Sequence, residues 1–253
     1  MIDESTVGAD AVSGRFDATH PSAAGIIVAA GRGTRYGASD KVLLPLNGRT
    51  LLAWVLQAFE ASSVAELIIV VGAHTESVIR TVVDRANLTI PAQVVIGGER
   101  RQDSVAHGVA AVSDAIDLVV IHDAARPLVN ARLIDQTIEQ AMATGAAIAA
   151  CPVTDTLKRV RPDLTIETTV PRVALWSAQT PQAFRRDALL AAFGLPIFEH
   201  LTFTDEAALF EELGYPVAIV PNNEPNPKVT HPGDLAILEA LLVTRARDWG
   251  ASR

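Results

Sequence analysis

Three short stretches hold residues whose types and spacing could do chemistry. The first, AAGRGTRYGASDK, runs from Ala29 to Lys41 directly after the apolar run Gly25-Ile26-Ile27-Val28, so its glycines and the cations Arg32, Arg35 and Lys41 stand where a strand ends. Glycine lets backbone N–H groups approach an anion and the cations add charged donors, so the loop suits a polyphosphate that is gripped and also reacted. Neither standard phosphate fingerprint fits. After Gly31-x-Gly33 the next glycine is Gly37, one place late for the dinucleotide motif, and no G-x-x-x-x-G-K-[ST] occurs.

The second stretch is Val119-Val120-Ile121-His122-Asp123-Ala124-Ala125-Arg126-Pro127. A carboxylate at the carboxyl end of a strand can hold a Mg²⁺ that bridges phosphate oxygens, and Asp123 facing a basic glycine loop fits that role better than simple turn capping. His122 alternates away from Asp123 and has no partner at zinc spacing, so it reads as structural. The third stretch is Gly97-Gly98-Glu99-Arg100-Arg101-Gln102-Asp103-Ser104-Val105. A glycine pair before a helix lets a flat base approach the backbone, while Ser104 serves a ligand or the helix's first turn.

Other polar candidates are Thr156, Lys158, Arg172, Gln179 to Gln182, Thr204-Asp205 and Asn226 to Thr230, with Thr204 and Thr230 reading as helix N-caps. No Ser-His-Asp order, Cys-His pair or close carboxylate pair points to nucleophilic or glycosidic chemistry. The residues converge on a Mg²⁺-dependent enzyme that handles a nucleoside triphosphate.

Alternating elements must position them. Apolar runs at 25–30, 66–71, 92–96, 117–122 and 146–151 are separated by helical spacing over about 50–61, 75–87, 101–113 and 131–144. Apolar residues at successive positions mark strands covered on both faces, which predicts an α/β fold with a mostly parallel sheet, flanking helices and ligands at the strands' carboxyl ends. The stretches 156–160 and 165–170, split by Arg161-Pro162-Asp163, alternate as a protruding β-hairpin arm. An isolated hairpin is marginal in water, so a partner subunit is the expected support. A helix at 186–193, a loop through Gly194-Leu195-Pro196, a helix opened by Thr204-Asp205-Glu206, a strand at 217–220 and a last helix from 232 complete the pattern.

Composition bounds the partners. With 253 residues, 49% of them hydrophobic, one core is the default, and a net charge of −8 argues against nucleic acid and membrane surfaces. No apolar stretch reaches the length of a membrane span, and residues 1–24 lack the regions of a signal peptide, so a disordered leader and a cytoplasmic protein are expected. Cys151, the single cysteine, excludes an internal disulfide and reads as a small buried thiol.

The motifs AAGRGTR, GGERRQDS, IHDAARP, PVTDTLK, AQTPQAF, FTDEA and NPKVTHPGDL, in this order from about Gly25 to Leu242, resemble those of the 2-C-methyl-D-erythritol 4-phosphate cytidylyltransferases of the non-mevalonate isoprenoid pathway. The resemblance implies a Rossmann-like nucleotidyltransferase domain over 25–245 that dimerises through an arm at 152–175, with a tail at 246–253. It implies transfer of CMP from CTP to methylerythritol phosphate with release of pyrophosphate, using Mg²⁺ or another divalent cation. Ala29, Ala30, Gly31 and Gly33 would wrap the triphosphate, and Gly98, Glu99, Ser104 and Ala124 would surround cytosine and ribose. Asp123 would take the metal. Arg35, Lys41 and Lys228 would neutralise the α-phosphate during attack, while Thr156, Arg172, Thr180 and Thr204 would hold the acceptor, Arg172 from the partner's arm. Arg126 would support the site beside the metal ligand.

Two residues depart from the family pattern. Asp40 stands where proline is usual before Lys41, and Asn226-Pro227 replaces an asparagine-plus-aliphatic pair before Lys228. A pentitol-phosphate cytidylyltransferase acting on ribitol 5-phosphate shares the nucleotide half, but Asp155-Thr156-Leu157-Lys158 and Ala125 look more like the methylerythritol enzymes. A non-catalytic nucleotide-binding module would not need Arg35, Lys41, Asp123 and Lys228 together.

Overall fold

A computed structural model of the protein describes residues 22–31 and 41–251; Arg32, Gly33, Arg35, Asp40 and most of the expected leader lie outside them. In chain order the elements are β1 (Ala23–Ala29), β2 (Pro45–Leu46), β3 (Arg49–Thr50), α1 (Leu51–Glu60), β4 (Glu66–Val71), α2 (Glu76–Ala86), β5 (Ala92–Ile96), α3 (Arg101–Ala110), β6 (Leu118–Asp123) and α4 (Ala131–Thr144). They continue with β7 (Ala146–Pro152), β8 (Leu157–Val160), β9 (Ile166–Val170), β10 (Trp176–Arg185), α5 (Arg186–Phe193), α6 (Pro196–His200), α7 (Glu206–Glu212), β11 (Ala218–Pro221) and α8 (Asp234–Ala251).

The main sheet has seven strands in the order β11-β7-β10-β6-β1-β4-β5. β1 pairs in parallel with β4 and β6, β4 with β5, and β7 with β11, whereas β10 runs antiparallel to both of its neighbours. Successive residues of β1 feed opposite faces, as a pleated strand requires. Ala23, Ile27 and Ala29 join the core under α1, α2 and α4, and Ala24 and Ile26 join the core under α3, α5, α6 and α7. Both faces are therefore covered, which is why these strands are apolar at nearly every position. Gly25 leaves room for Phe59, since a Cβ there would stand 2.6 Å from the ring. A third core packs α8, through Leu238 and Leu242, against Leu46, Leu51, Leu128 and Val229.

Chain order reverses across β1, because β4 and β5 lie on one side of it and β6 on the other. That reversal opens a crevice at the carboxyl ends of β1 and β6, the usual ligand site of an open α/β sheet. Among the described residues β8 and β9 pair only with each other, as the expected arm.

Several boundaries differ from the sequence reading. β1 begins at Ala23, so Ser22 to Ala24 belong to the fold; Ser22 donates its N–H to Asp117 and its hydroxyl to the Ala115 carbonyl. The segment after Gly194 holds a short helix, α6, begun by Pro196. α8 starts at Asp234 and continues through the expected tail to Ala251. Thr204 does not cap α7: Asp205 does, its carboxylate accepting from the Ala208 N–H at 3.0 Å. Thr230 likewise caps nothing with its hydroxyl, which donates to the Lys228 carbonyl, and its backbone N–H goes to the Asp234 carboxylate. Cys151 is half-buried at the end of β7, its sulfur accepting from Gln179 Nε2 at 3.3 Å.

Candidate active site

Strand pairing fixes the centre of the site. Val28 at the end of β1 stands in register with Asp123 at the end of β6, and the Ala124 N–H donates to the Val28 carbonyl at 3.1 Å. Ala29, Ala30 and Gly31 therefore leave the sheet beside Asp123 and Ala124. On the other side of β1, the Gly97 N–H donates to the Val71 carbonyl, which brings the Gly98-Glu99 loop to the same edge. A Cβ on Gly97 would meet the Ala30 methyl at 2.8 Å, and one on Gly98 would meet the Asp103 Cβ at 2.4 Å, so both loops approach in a way only glycine permits.

Helix α3 begins there, capped by Asp103, which accepts from the Arg100 N–H and pairs with its guanidinium. Ser104 is buried and occupied within the chain: its hydroxyl accepts from the Gly98 N–H at 3.1 Å and donates to the Arg100 carbonyl at 3.2 Å. It ties the glycine pair to the helix.

Asp123 is the hub. Lys228 Nζ lies 2.6 Å from its Oδ2 and Arg101 Nη2 lies 3.5 Å from its Oδ1. Burial pushes this carboxyl up, but Arg101, Lys228 and Arg126 together outweigh burial and hold it well below the usual carboxylate range. Arg101 also donates from Nη1 to both oxygens of Glu206, at 2.8 and 3.0 Å. Glu206 is 2% exposed, and burial raises its pKa despite the guanidinium.

The backbone of Asp123 is held from behind. Its N–H donates to the Thr180 hydroxyl at 3.1 Å, and that hydroxyl lies 3.0 Å from His122 Nδ1. His122 Nε2 lies 3.1 Å from the Arg126 carbonyl, which can only accept, so Nε2 carries the proton and Nδ1 accepts from Thr180. Burial lowers the His122 pKa to about 4, so the ring is neutral at neutral pH. Thr180 thus spends its hydroxyl inside the protein.

Lys228 comes from the loop between β11 and α8, stapled to the Asp123 turn at three points. Asn226 Nδ2 donates to the Thr180 carbonyl at 2.9 Å, Arg126 Nη1 donates to the Asn226 carbonyl at 2.8 Å, and the Val229 N–H donates to the Ala125 carbonyl at 2.8 Å. Lys41 Nζ reaches the same loop at the Val229 carbonyl, 3.2 Å away. The cleft therefore gathers Ala29, Ala30, Gly31, Lys41, Gly98, Ser104, Asp123, Ala124, Arg126, Thr180 and Lys228. Thr204 lies exposed just before α7, joined to the cleft through Asp205, whose carboxylate accepts from Gln182 Nε2 at 2.9 Å.

The remaining expected residues are elsewhere. Thr156 and Arg172 flank the arm and are exposed, with Arg172 donating to the Thr154 carbonyl. The sequence reading gave no role to Arg101 or Glu206. Arg101 stood in the GGERRQDS motif as one of two adjacent arginines, and no local signal paired it with a glutamate 105 residues away.

A doubly wound α/β sheet whose switch point joins a glycine-rich first turn to a lysine-paired aspartate defines a nucleotide-handling enzyme. The chain belongs to the 2-C-methyl-D-erythritol 4-phosphate cytidylyltransferase family, IspD, whose sequence pattern matches residues 23–244. Over 222 residues it is 41% identical to the 2-C-methyl-D-erythritol 4-phosphate cytidylyltransferase of Synechococcus elongatus, covering 87% of this chain and 96% of that one. The corresponding protein of Pelotomaculum thermopropionicum is 42% identical over 225 residues, 88% of this chain and 94% of its own. Among solved structures, the cytidylyltransferase of Thermus thermophilus superposes with a TM-score of 0.71 at 35% identity, covering 86% of this chain and 97% of that chain. The 4-diphosphocytidyl-2C-methyl-D-erythritol synthase of Anaerococcus prevotii gives 0.78 at 26% identity, with 88% and 96% covered.

Proposed function

We propose that this chain transfers the cytidylyl group of CTP to 2-C-methyl-D-erythritol 4-phosphate, giving 4-diphosphocytidyl-2-C-methyl-D-erythritol and pyrophosphate, in isoprenoid precursor biosynthesis. Family membership supports the reaction, and the observation that carries it in this chain is the Asp123–Lys228 pair at the switch point of the sheet. An oxygen of the acceptor's phosphate attacks the α-phosphorus of CTP. The new P–O bond forms as the bond to the α–β bridging oxygen breaks, and pyrophosphate leaves with that electron pair. The attacking oxygen is already anionic at neutral pH, so no general base is required.

Repulsion between two phosphates is the obstacle, and fixed cations in a partly dry cleft lower it without reacting. In this reading Arg35, Lys41 and Lys228 face the α-phosphate, and the backbone of Ala29, Ala30, Gly31 and Gly33 wraps the triphosphate. Gly98, Glu99 and Ala124 face the nucleoside, while Ser104 shapes that wall through the Gly98 N–H it holds. Thr156, Arg172 and Thr204 receive the acceptor, and Arg126 and Thr180 fix the backbone around Asp123.

A divalent cation, Mg²⁺ by preference, belongs to the same proposal. Mg²⁺ is commonly held by one or two carboxylates together with substrate phosphates, and Asp123 supplies one ionised carboxylate at the strand end. Among the described residues no group of three or more His, Cys, Asp or Glu could hold a metal, so the donor set suits a cation that arrives with the nucleotide. Bound there, the ion would neutralise phosphate charge. No described helix is long and apolar enough to cross a membrane.

The arm supports a homodimer. Leu157, Val160 and Ile166 are exposed on a two-stranded ribbon that pairs with no other strand among the described residues, and exposed apolar side chains on such a ribbon suit a second copy.

The test is pyrophosphate release from CTP, with and without Mg²⁺, comparing methylerythritol 4-phosphate with ribitol 5-phosphate, in wild type and Lys41→Ala. Release with methylerythritol phosphate alone, lost in the variant, is the expected result. Release only with ribitol phosphate would transfer the chain to the pentitol reaction, and release with neither would overturn the assignment.

A further inference from the structure

One guanidinium joins the two halves of the cleft. Arg101 opens α3 on the nucleotide side, and Glu206 opens α7, the helix that follows Thr204. Arg101 Nη1 sits 2.8 and 3.0 Å from the two Glu206 oxygens, but Nη2 sits 3.5 Å from Asp123 Oδ1. The sharing is unequal: Glu206 receives a firm pairing and Asp123 a long contact. A guanidinium prefers a parallel, two-bonded match to one carboxylate, and without the Glu206 pairing this fork is free to turn toward Asp123.

We propose that Glu206 is a positioning residue that withholds Arg101 from Asp123, so that Asp123 stays oriented yet free to exchange Lys228 for a divalent cation. The inference rests on the reading of Asp123 as the cation's ligand. This carboxylate must avoid a closed two-bonded pair that would exclude the cation, and Glu206 prevents that by pairing with the guanidinium at 2.8 Å on the side away from Asp123, which leaves Asp123 a contact of 3.5 Å. Thr204 lies two residues before Glu206, so the same pair ties the acceptor-side segment to the hub.

The experiment is manganese(II) binding, followed by electron paramagnetic resonance with CTP present and no acceptor, so that no turnover intervenes. Outer partners of metal ligands typically change affinity by about 10- to 100-fold, and Glu206→Gln is expected to weaken Mn²⁺ binding by that factor while circular dichroism and a cooperative melt stay intact. The double variant Arg101→Gln with Glu206→Gln removes the competing guanidinium and is expected to bind Mn²⁺ at least as tightly as wild type. A purely structural pair would leave the double variant no better than the single one. Unchanged affinity in folded Glu206→Gln, or a double variant no better than the single, overturns the proposal.

If Glu206→Gln does not fold, the double variant decides alone, since it buries no unpaired charge: binding at or above the wild-type level supports the proposal and weaker binding overturns it. Wild-type Mn²⁺ binding that is insensitive to Asp123→Asn would instead overturn the reading of Asp123, whatever Glu206 does.

Discussion

Lys228 Nζ rests 2.6 Å from Asp123 Oδ2 across 105 residues of chain. The lysine does not reach this point by length alone. Its loop is hydrogen-bonded to the carbonyls of Thr180 and Ala125 and to the guanidinium of Arg126, so the ammonium is delivered by backbone that is itself held.

Lys228→Met keeps the aliphatic stem and removes the charge. Loss of one group that stabilises charge in a transition state costs about 10²- to 10³-fold in turnover, and that fall in kcat is expected here with a smaller change in KM for CTP. Steady-state pyrophosphate release reads both constants. A fall of under about threefold would remove Lys228 from the chemistry.

Thr180→Val preserves shape but strands two buried groups, the Asp123 N–H and His122 Nδ1. Each buried unsatisfied group costs about 1–3 kcal/mol, so denaturant unfolding should shift by a few kcal/mol, and kcat should fall as Asp123 loses its register. Thr180→Ser retains the hydroxyl and should recover most of both. Wild-type stability in Thr180→Val would refute a stabilising role for these two hydrogen bonds.

Acid should destabilise the fold through His122. The ring's pKa is lowered by burial to about 4 in the fold, against an ordinary value near 6.5, so the unfolded chain binds a proton first as pH falls. Stability from this group is full above about pH 6.5, declines as pH drops toward 4, and flattens below, a loss of about 3 kcal/mol. His122→Gln, whatever its overall stability, should show a shallower slope in that window than wild type in melts from pH 4 to 7. Equal slopes would place the acid sensitivity elsewhere.

On the arm, Val160→Asp combined with Ile166→Asp places charge on a ribbon whose own pairing is solvent-facing, so the monomer's circular dichroism should hardly change. Sedimentation should show the wild type as a dimer and this variant as a monomer. A wild type that sediments as a monomer at micromolar concentration would dismiss the arm as an assembly element.

The parallel strands were legible because burial on both faces writes itself as an unbroken apolar run: β1, β4 and β6 are buried at nearly every position. β10 was not. Gln179-Thr180-Pro181-Gln182 stood among the polar candidates with no element assigned, and proline argues against a central strand. The structure accommodates it where the β7–β10 register shifts between Ala178 and Gln182, with Gln179 hydrogen-bonded to Cys151 and Asn222, Thr180 to His122 and Gln182 to Asp205. The ribbon of β2 and β3 did carry a signal, Asn47-Gly48, whose positive φ values of 48° and 78° suit a tight hairpin turn. In the site, Lys228 gained a role only through the resemblance of its motif, whereas Asp123 stood out as a carboxylate at a strand end. Arg101 and Glu206 did not, because a buried ion pair formed across 105 residues leaves no local periodicity, and a glutamate at a helix start looks like ordinary capping chemistry.

The reversed strand has a consequence for synthesis. β6 and β7 follow one another in the chain but are not neighbours in the sheet, since β10 fills the space between them. A nascent chain halted before Trp176 would carry β6 with one open edge and β7 with no sheet partner, and one halted before Lys228 would have β10 in place but Asp123 lacking its ammonium partner. Late-made pieces thus close the sheet and complete the pairing of Asp123, so a fragment ending short of residue 228 cannot present the Asp123–Lys228 pair.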